Sequence, residues 1–348
     1  MASGLAPRVT FASEAELEDA LSAPTPGTLD ALRSTPGDIV VLGAAGKMGP
    51  TLSRMARRAL DALGRTDRVI AVSRFSSPTA ERSLREHGIE TVRCDLLDRH
   101  AVAALPDAPN VVFMAGQKFG TRDAPSATWA MNVVVPAFAA ERYASSRIVA
   151  FSTGNVYPLT PVAAGGARET DALAPVGEYA MSALGRERVF EDASARRGTR
   201  VAIVRLNYAV DLRYGVLVDI ASRIVRGEAI DLRMGHANVI WQGDANDWAL
   251  RCLAHASAPP FVVNVTGHET LSVRDVAARL GARLGRAPVF TGAEASDALL
   301  SKAGLAHSMF GAPAVSTPTL IEWVADWVLA GQPLLGKPTH FEERSGAF

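Results

Sequence analysis

The sequence lacks the features that mark several large classes of protein. It has only two cysteines, Cys94 and Cys252, which provide neither a disulfide framework nor the ligand spacing of a metal site. Its seven histidines are dispersed and form no pair at helical spacing, so no zinc site is expected. Lysine plus arginine equals aspartate plus glutamate at 36 each, and this balance gives no basic surface for nucleic acid.

Long apolar runs are also missing. No stretch reaches the length that crosses a membrane, and the N-terminus lacks a basic segment followed by an apolar one. We therefore expect a cytoplasmic protein that binds neither membrane nor nucleic acid. Its 348 residues, 48% of them hydrophobic, are enough for roughly two domains with a large core.

A buried-strand pattern, a glycine-rich turn and a helical pattern follow one another near the start of the chain. The apolar run Ile39–Leu42 is typical of a strand buried on both faces of a parallel sheet, and a helical pattern covers residues 51–60. Three glycines at three-residue spacing stand between them: Gly43, Gly46 and Gly49. This order predicts a dinucleotide-binding turn, the alternative being a turn that only joins a strand to a helix.

Each glycine has a physical role in such a turn. Gly43 allows the tight turn, Gly46 lets the backbone approach a pyrophosphate, and Gly49 lets the helix pack closely on the strand. The helix N-terminus presents free N–H groups to phosphate. A P-loop does not fit, because Met48 stands where a magnesium-binding serine or threonine is needed.

Strands and helices alternate after this turn. Further buried strands are predicted at Arg68–Ser73, Ile89–Cys94, Asn110–Met114, Arg147–Ser152 and Thr199–Arg205. The alternation predicts an α/β fold with a doubly wound, Rossmann-like parallel sheet and a smaller C-terminal substrate-binding part. Ligands of such sheets bind at the carboxyl ends of the strands.

We divide the chain into three parts. Residues 1–37 form an N-terminal extension, residues 38–207 a dinucleotide-binding domain, and residues 208–348 mainly a substrate-binding part and a tail. A capping pattern at Ser13 predicts a short helix in the extension, and prolines and glycines from Pro24 to Gly37 then break the chain. The extension either packs on the body or mediates oligomer contacts. The C-terminal part shows no obvious core of its own, although Trp323, Val324 and Trp327 share a helical face typical of core.

Several motifs follow the glycine turn in order. They are Asp95-Leu96, Ala115-Gly116, Asn132, Ser152-Thr-Gly-Asn-Val-Tyr157, Glu169, Tyr179 in Glu-Tyr-Ala-Met-Ser, and Arg205-Leu-Asn207. In this order and spacing they resemble the extended short-chain dehydrogenase/reductases, the family of NAD-dependent epimerases and dehydratases that act on nucleotide sugars. The resemblance covers about residues 38 to 330.

The resemblance implies an NAD(P)-dependent oxidoreductase or epimerase that acts on a sugar, a nucleotide sugar or a related alcohol or ketone. Thr153 would hydrogen-bond the reacting oxygen, and Tyr179 would give or take the proton as hydride moves to or from the nicotinamide. The residues expected at the cofactor are Gly43, Ala45, Gly46, Lys47, Met48, Gly49, Ser73, Arg74, Asp95, Leu96, Ala115, Gly116, Gln117, Lys118, Asn132 and Tyr179.

The sequence departs from the family at one catalytic position. The family has a lysine four residues after the tyrosine, where it favours tyrosinate and anchors the ribose, but here that residue is Ala183. One hypothesis is that another cation substitutes: Lys118 is the candidate, whereas Arg186, nearly two turns after Tyr179, is expected to be less well placed. The other hypothesis is a non-catalytic dinucleotide-binding protein, such as a redox sensor or a partner subunit.

The residues at the end of the second strand indicate whether NAD or NADP binds. NAD enzymes usually place an acid there for the ribose hydroxyls, whereas arginine suits a 2′-phosphate. This sequence has Ser73 and Arg74, and no acid until Glu81. The pattern favours NADP over NAD, although such an arginine can also stack on adenine.

Substrate contacts are expected from regions that face the sugar nucleotide in the resembling family. The residues are Asn155, Asn207, Tyr208 and Trp241. Three arginines at positions 213, 223 and 226 are candidates to meet a diphosphate, although most arginines on helices only solvate a face. The expected partners are a small-molecule substrate and a second copy of the chain in a homodimer.

Overall fold

A sheet of seven parallel strands organises the molecule. In this computed structural model, which describes residues 11–347, the strands are β1 (Ile39–Leu42), β2 (Val69–Ser73), β3 (Glu90–Arg93), β4 (Asn110–Phe113), β5 (Arg147–Thr153), β6 (Arg200–Leu206) and β7 (Phe261–Val265). Their order is β3-β2-β1-β4-β5-β6-β7, and every neighbouring pair is parallel. The predicted doubly wound α/β fold is confirmed. Because the order reverses between β1 and β4, the ligand crevice lies at their carboxyl ends.

Helices cover both faces of the sheet and build the C-terminal part. They are α1 (Glu14–Leu21), α2 (Pro26–Ser34), α3 (Gly49–Ala62), α4 (Pro78–Glu86), α5 (Arg99–Ala103), α6 (Pro125–Trp129), α7 (Val135–Arg142), α8 (Gly177–Arg197), α9 (Val216–Arg226), α10 (Gln242–Arg251), α11 (Val273–Leu284), α12 (Gly304–Phe310) and α13 (Thr317–Leu329). A π-helical turn, Ala130–Val134, joins α6 to α7. Within residues 11–347, no helix combines the length and the apolar character needed to cross a membrane.

Alternate side chains of β1 enter two different cores. Ile39 and Val41 pack in the core that contains residues of α3 and α10. Val40 and Leu42 point the other way, into the core that contains Phe190 of α8. The two-sided burial explains why the strand is apolar at every position.

The N-terminal extension packs on the body as two helices. Ser13 caps α1 by accepting the N–H of Glu16, as its sequence predicts. The expected break at Pro26 is wrong, because Pro26 occupies the first turn of α2 and Thr25 caps that helix. Proline is tolerated there since the first helical N–H groups have no partner within the helix.

Two arginines hold α1 between the two parts of the molecule. Arg54 of α3 binds Glu18 at 2.9 Å and Asp19 at 2.6 Å. Arg213, which precedes α9, binds Glu14 and the same Glu18 at 3.2 Å each. Helix α1 therefore bridges the dinucleotide-binding part and the C-terminal part.

The C-terminal part has a core of its own, so the expectation that it shows none is wrong. Leu280, Val324 and Trp327 from α11 and α13 are buried together with residues of α9, and Leu17 of α1 joins them. Trp323 is partly buried beside them, as its helical face predicts. No single stretch reveals this core, because its residues come from helices that are far apart in sequence. Residues beyond 207 also supply β7 to the main sheet.

An extended segment, residues 332–347, crosses the C-terminal part, and we call it the strap. Phe341 anchors it and is completely buried, while Arg344 pairs with Asp297. Near its end the strap packs on the start of α8, where a Cβ added to Gly177 would lie 2.3 Å from the carbonyl oxygen of Gly346. The strap thus connects the C-terminal part to the helix that carries Tyr179.

Candidate active site

The glycine-rich turn brings the end of β1 against the end of β4. Gly43 has φ +86°, and an added Cβ would lie 2.7 Å from the backbone of Ala115, so glycine is required by both conformation and space. Helix α3 begins directly after the turn with no side-chain cap. Its first N–H groups are therefore available to an anion.

A cavity of about 270 Å³ opens beside this turn at the carboxyl ends of β1 to β4. It is lined by predicted cofactor residues together with five others, Phe75, Ser76, Cys94, Met114 and Met131. The predicted ones are Gly43, Ala45, Gly46, Ser73, Arg74, Asp95, Leu96, Ala115 and Gly116. The glycine cradle, the uncapped helix and the position at the reversal of strand order fit the adenosine half of a dinucleotide.

Arg74 lines this cavity from the loop after β2. The next residue, Phe75, has φ +47° and is buried in the core, so it anchors a constrained loop. Glu81, the first acid after the strand, is held by Arg85 and Arg93 at 2.7 and 2.5 Å. Glu81 is therefore engaged away from the position where an acid would meet a ribose.

A second cavity, of about 140 Å³, lies on the other side of the turn. It brings together the predicted residues Lys47, Met48, Lys118, Thr153, Asn155, Tyr179, Asn207 and Tyr208. We call it the tyrosine cavity. The turn lines both cavities, because residues 43, 45 and 46 face the first and residues 47 and 48 face the second.

Thr153 and Tyr179 form a hydroxyl pair in the tyrosine cavity. Thr153 ends β5, and its side chain accepts the N–H of Asn155 at 3.2 Å. Tyr179 lies in the first turn of α8, and its side chain shares the cavity with Thr153, whose hydrogen bonding favours the ionised form of the tyrosine. Burial raises the pKa of Tyr179, while the positive charge of Arg186 and the hydrogen bond oppose this rise.

Arg186, which the sequence places less well than Lys118, acts on Tyr179 through its positive charge. It lies seven residues along α8, and an interval of seven returns to the same helical face. Its guanidinium donates to the carbonyl of Phe151 and to the side chain of Asn132, both at 2.8 Å. A Cβ on Gly116 would lie 2.5 Å from its Nη2 atom, which requires glycine there.

Asn132 holds the loop after β4 in place from within the π-helical turn. Its side chain accepts the N–H of Gln117 at 2.8 Å and donates to the carbonyl of Gln117 and to Ser182, each at 2.9 Å. Asn132 and Gln117 line neither cavity. They fix the loop that carries Gly116 and Lys118, and a π-helical turn is frequent at such functional positions.

Two ammonium groups reach the tyrosine cavity. Lys47 Nζ lies 3.2 Å from the ring centre of Tyr214, and Lys118 Nζ donates to the carbonyl of Thr339 at 3.4 Å, 5.8 Å from the ring centre of Tyr179. Burial lowers the pKa of Lys47 to about 7 and that of Lys118 to about 8. Although Lys47 is exposed as a whole residue, its ammonium lies under the tyrosine ring, which accounts for the desolvation.

Some predicted residues lie elsewhere. Trp241 lines a different cavity, with His268 and His307, and Gly49 starts α3. The three arginines proposed for a diphosphate are each paired with carboxylates: Arg213 with Asp211, Glu14 and Glu18, Arg223 with Glu342, and Arg226 with Glu228. Among residues 11–347, no group of three or more histidine, cysteine, aspartate or glutamate side chains is arranged to hold a metal ion.

Tyr214 and Thr339 complete the tyrosine cavity and were missed in the sequence. Tyr214 precedes α9 and carries no motif, and Thr339 belongs to the strap, far from Tyr179 along the chain. Neither had a sequence signal. Ser182 and Arg186 did have one, because their spacing from Tyr179 places them on its helical face.

The sequence pattern described as "NAD dependent epimerase/dehydratase family" matches residues 39–215 of the chain. Among solved structures, DesIV, a dTDP-glucose 4,6-dehydratase from Streptomyces venezuelae with NAD and TYD bound, has a TM-score of 0.70 and 19% identity over 84% of this chain and 97% of that chain. MoeE5 in complex with UDP-glucose and NAD has a TM-score of 0.65 and 22% identity over 84% and 98%. These structures share the fold. No curated protein sequence matches the chain.

The family pattern spans more than half of the chain and includes β1 to β6, the glycine-rich turn, Thr153 and Tyr179. The chain belongs to the NAD dependent epimerase/dehydratase family.

Proposed function

We propose that the protein is an NAD(P)-dependent oxidoreductase or epimerase that acts by hydride transfer on a sugar or a sugar-derived alcohol or ketone. The observation that carries the proposal is that Thr153 and Tyr179 line one cavity together with Lys47 and Met48 of the glycine-rich turn. The pair is placed to bind one substrate oxygen while the turn holds a dinucleotide beside it.

The bound nicotinamide would supply hydride exchange at the substrate carbon. In reduction the substrate carbonyl gains a hydride at carbon and the Tyr179 proton at oxygen, and in oxidation both transfers are reversed. Thr153 donates a hydrogen bond to the reacting oxygen. The oxygen negative charge that develops during reduction is thereby met by two hydroxyl donors.

The environment of Tyr179 favours its role as an acid at neutral pH. Since burial raises its pKa, the hydroxyl keeps its proton until a substrate oxygen becomes basic enough to take it. Oxidation needs the tyrosinate, and Arg186 is the cation that stabilises that state. We propose that Arg186 provides the positive charge that the family's lysine provides, since position 183 is alanine in this chain. Lys118 is the alternative for this role.

We propose that NADP is preferred to NAD. The support is Arg74, which lines the adenosine cavity on a loop anchored by Phe75, while Glu81, the first acid after β2 in the sequence, is engaged by two arginines. A guanidinium suits a 2′-phosphate, whereas a carboxylate suits free ribose hydroxyls.

We also propose a cytoplasmic homodimer, in which α6 and α8 contribute to the contact. Trp129, Val134 and Met181 are large apolar side chains left 38, 43 and 38% exposed on neighbouring elements. Light scattering tests this arrangement, and Met181→Glu is expected to shift the protein towards monomer.

The test of catalysis compares Tyr179→Phe and Thr153→Val with Thr160→Val, which lies outside the tyrosine cavity. Turnover of reduced or oxidised nicotinamide with a panel of sugars, keto-sugars and sugar acids is expected to fall about 10²- to 10⁴-fold in Tyr179→Phe, with cofactor affinity kept. The alternative, a non-catalytic dinucleotide-binding protein, gains support if the cofactor binds but no compound is turned over and Tyr179→Phe changes nothing.

A further inference from the structure

The tyrosine cavity has an unusual charge for a site that binds a sugar. Two of the four lysines of the chain, Lys47 and Lys118, place their ammonium groups in it. None of the described residues that line it is acidic. The remaining polar groups are neutral hydroxyls and amides, from residues 152, 153, 155, 179, 207, 208, 214 and 339.

The nearest carboxylates are already engaged. The carboxylate of Asp211 accepts hydrogen bonds from Nε and Nη2 of Arg213, the shorter of them at 2.8 Å. Asp219 accepts the N–H and the hydroxyl of Thr339. Both acids attract Lys47 through space, but their hydrogen bonds hold them outside the cavity lining. Among the residues the structure describes, the charged groups that line the cavity are therefore the two ammonium groups.

The size of the cavity limits what can fill it. At about 140 Å³ it is comparable to a cavity of about 150 Å³ that holds benzene, so it suits a molecule of a few carbon atoms. A nucleotide sugar adds a base, a ribose and a diphosphate to the sugar, and these groups would have to lie outside the tyrosine cavity.

The arginines of the neighbouring cavity are engaged by carboxylates. This cavity measures about 300 Å³ and is lined by Arg213, Arg223 and Arg226, but each arginine is paired with at least one carboxylate. Asp219, Glu228 and Lys337 also line it, so a diphosphate there would meet charges of both signs. The strap residues Pro338 and Thr339 lie at its boundary with the tyrosine cavity.

We infer that the substrate is a small polyhydroxy molecule with an anionic group, a carboxylate or a phosphate, which Lys47 and Lys118 bind while Thr153 and Tyr179 bind the reacting oxygen. This inference rests on the proposed function and names its substrate class. Charge-assisted hydrogen bonds from the two ammonium groups would fix the anionic end. The amides of Asn155 and Asn207 and the hydroxyls of Tyr208 and Tyr214 would meet the remaining hydroxyls.

The test is a substrate and binding panel with four arms. C4 to C6 aldonates and uronates form the first arm, sugar monophosphates the second, the neutral sugars and sugar alcohols of the same length the third, and UDP-glucose the fourth. Turnover is followed by nicotinamide absorbance and binding by calorimetry, with the cofactor present. We expect at least one anionic arm to exceed the neutral arm tenfold or more in kcat/KM and in affinity. The anionic arm with the higher kcat/KM and affinity identifies the anionic group as a carboxylate or a phosphate.

Lysine variants provide the second part of the test. Lys47→Met and Lys118→Met are each expected to lower the preference for the anionic compound over its neutral counterpart about tenfold or more. Lys302→Met, a lysine outside the cavity, is expected to leave that preference unchanged. The preference is a ratio within one variant, so general damage to the fold does not change it.

The outcomes separate the two proposals. Equal or better use of neutral compounds or UDP-glucose, or an unchanged preference in both lysine variants, overturns the anionic substrate and leaves hydride transfer standing. A loss of cofactor affinity in Lys47→Met with no change in anion preference assigns that lysine to the cofactor. This outcome also overturns the inference of an anionic substrate. Binding of an anion without turnover of any compound supports the inference and counts against the proposed function.

Discussion

Arg186 lies seven residues after Tyr179 in the same helix, and its positive charge opposes the burial that raises the pKa of the tyrosine. The family's lysine would stand between them, at the position of Ala183. Ala183 is completely buried and packs with Val156, Tyr157 and Ala167, so its space belongs to the core. We propose that Arg186 supplies this positive charge one turn further along the helix.

Arg186→Gln is expected to shift the pH dependence of the oxidation direction to higher pH. Without the guanidinium, Tyr179 loses stabilisation of its ionised form, and each added pKa unit lowers the tyrosinate fraction about tenfold. Pre-steady-state oxidation rates across pH measure the shift. Arg188→Gln, an exposed position on the same helix, is the control, and Arg186→Lys should restore part of the rate. An unchanged pH profile in Arg186→Gln would assign the role to Lys118.

Arg74→Ala is expected to weaken NADP binding about 10- to 100-fold while NAD binding changes little. The reason is the loss of a guanidinium fitted to the 2′-phosphate. Fluorescence titration with each reduced cofactor measures both affinities. Arg82→Ala, an exposed residue of α4 outside the cavity, serves as the control. Equal losses for both cofactors would show that Arg74 stacks on adenine instead.

Affinity for the anionic substrate is expected to fall as the pH rises through about 7 and about 8, where Lys47 and Lys118 lose their protons. A lysine with a lowered pKa is charged below that pKa and neutral above it, so binding is tightest at the acidic end. Asp211 and Asp219 face Lys47, and Asp219 faces Lys118; these acids raise the two pKa values in part. Calorimetric titration at several pH values, compared with the neutral counterpart, measures the effect. A flat profile would contradict a direct role of the ammonium groups.

Arg205→Met is expected to destabilise the protein by about 3–5 kcal/mol, because it leaves Glu187 buried without its partner. The pair lies at 2.7 Å with its side chains 4 and 1% exposed, and Glu187 also accepts the hydroxyl of Ser152 beside the hydroxyl pair. Urea unfolding measures the change. Arg196→Ala, which breaks an exposed pair with Asp192, should cost less than about 1 kcal/mol. Adding Glu187→Gln to Arg205→Met should recover much of the loss.

The sequence predicts local and periodic features well in this protein. The strand Ile39–Leu42, the turn with its three glycines and the capped helix at Ser13 are decided by neighbouring residues, and each lies where its pattern predicts. The position of Arg186 is also predictable, because an interval of seven residues places it on the same helical face as Tyr179. Its effect on Tyr179 does not follow from four-residue spacing, because the arginine side chain is long enough to extend along two turns.

Long-range features could not be predicted in the same way. Thr339 meets Lys118 only because the strap folds back across the C-terminal part, and no residue of the strap carries a motif that says so. The separation of Lys47 from the adenosine cavity depends on the ring of Tyr214. Both are tertiary contacts between segments that have no common sequence pattern.

The position of α1 limits how the two parts of the molecule can move. Opening the crevice by a hinge would break the ion pairs of Glu18 with Arg54 and Arg213 and would pull Leu17 out of the C-terminal core. The strap joins the same two parts through Gly346 and Gly177, and Gln332 near its start donates to the carbonyl of Ala12 beside α1. With both connections in place, we expect a small molecule to reach Tyr179 through a local displacement of the strap around Thr339, which lines the cavity. Turnover would then be limited by the rate of that movement rather than by domain closure.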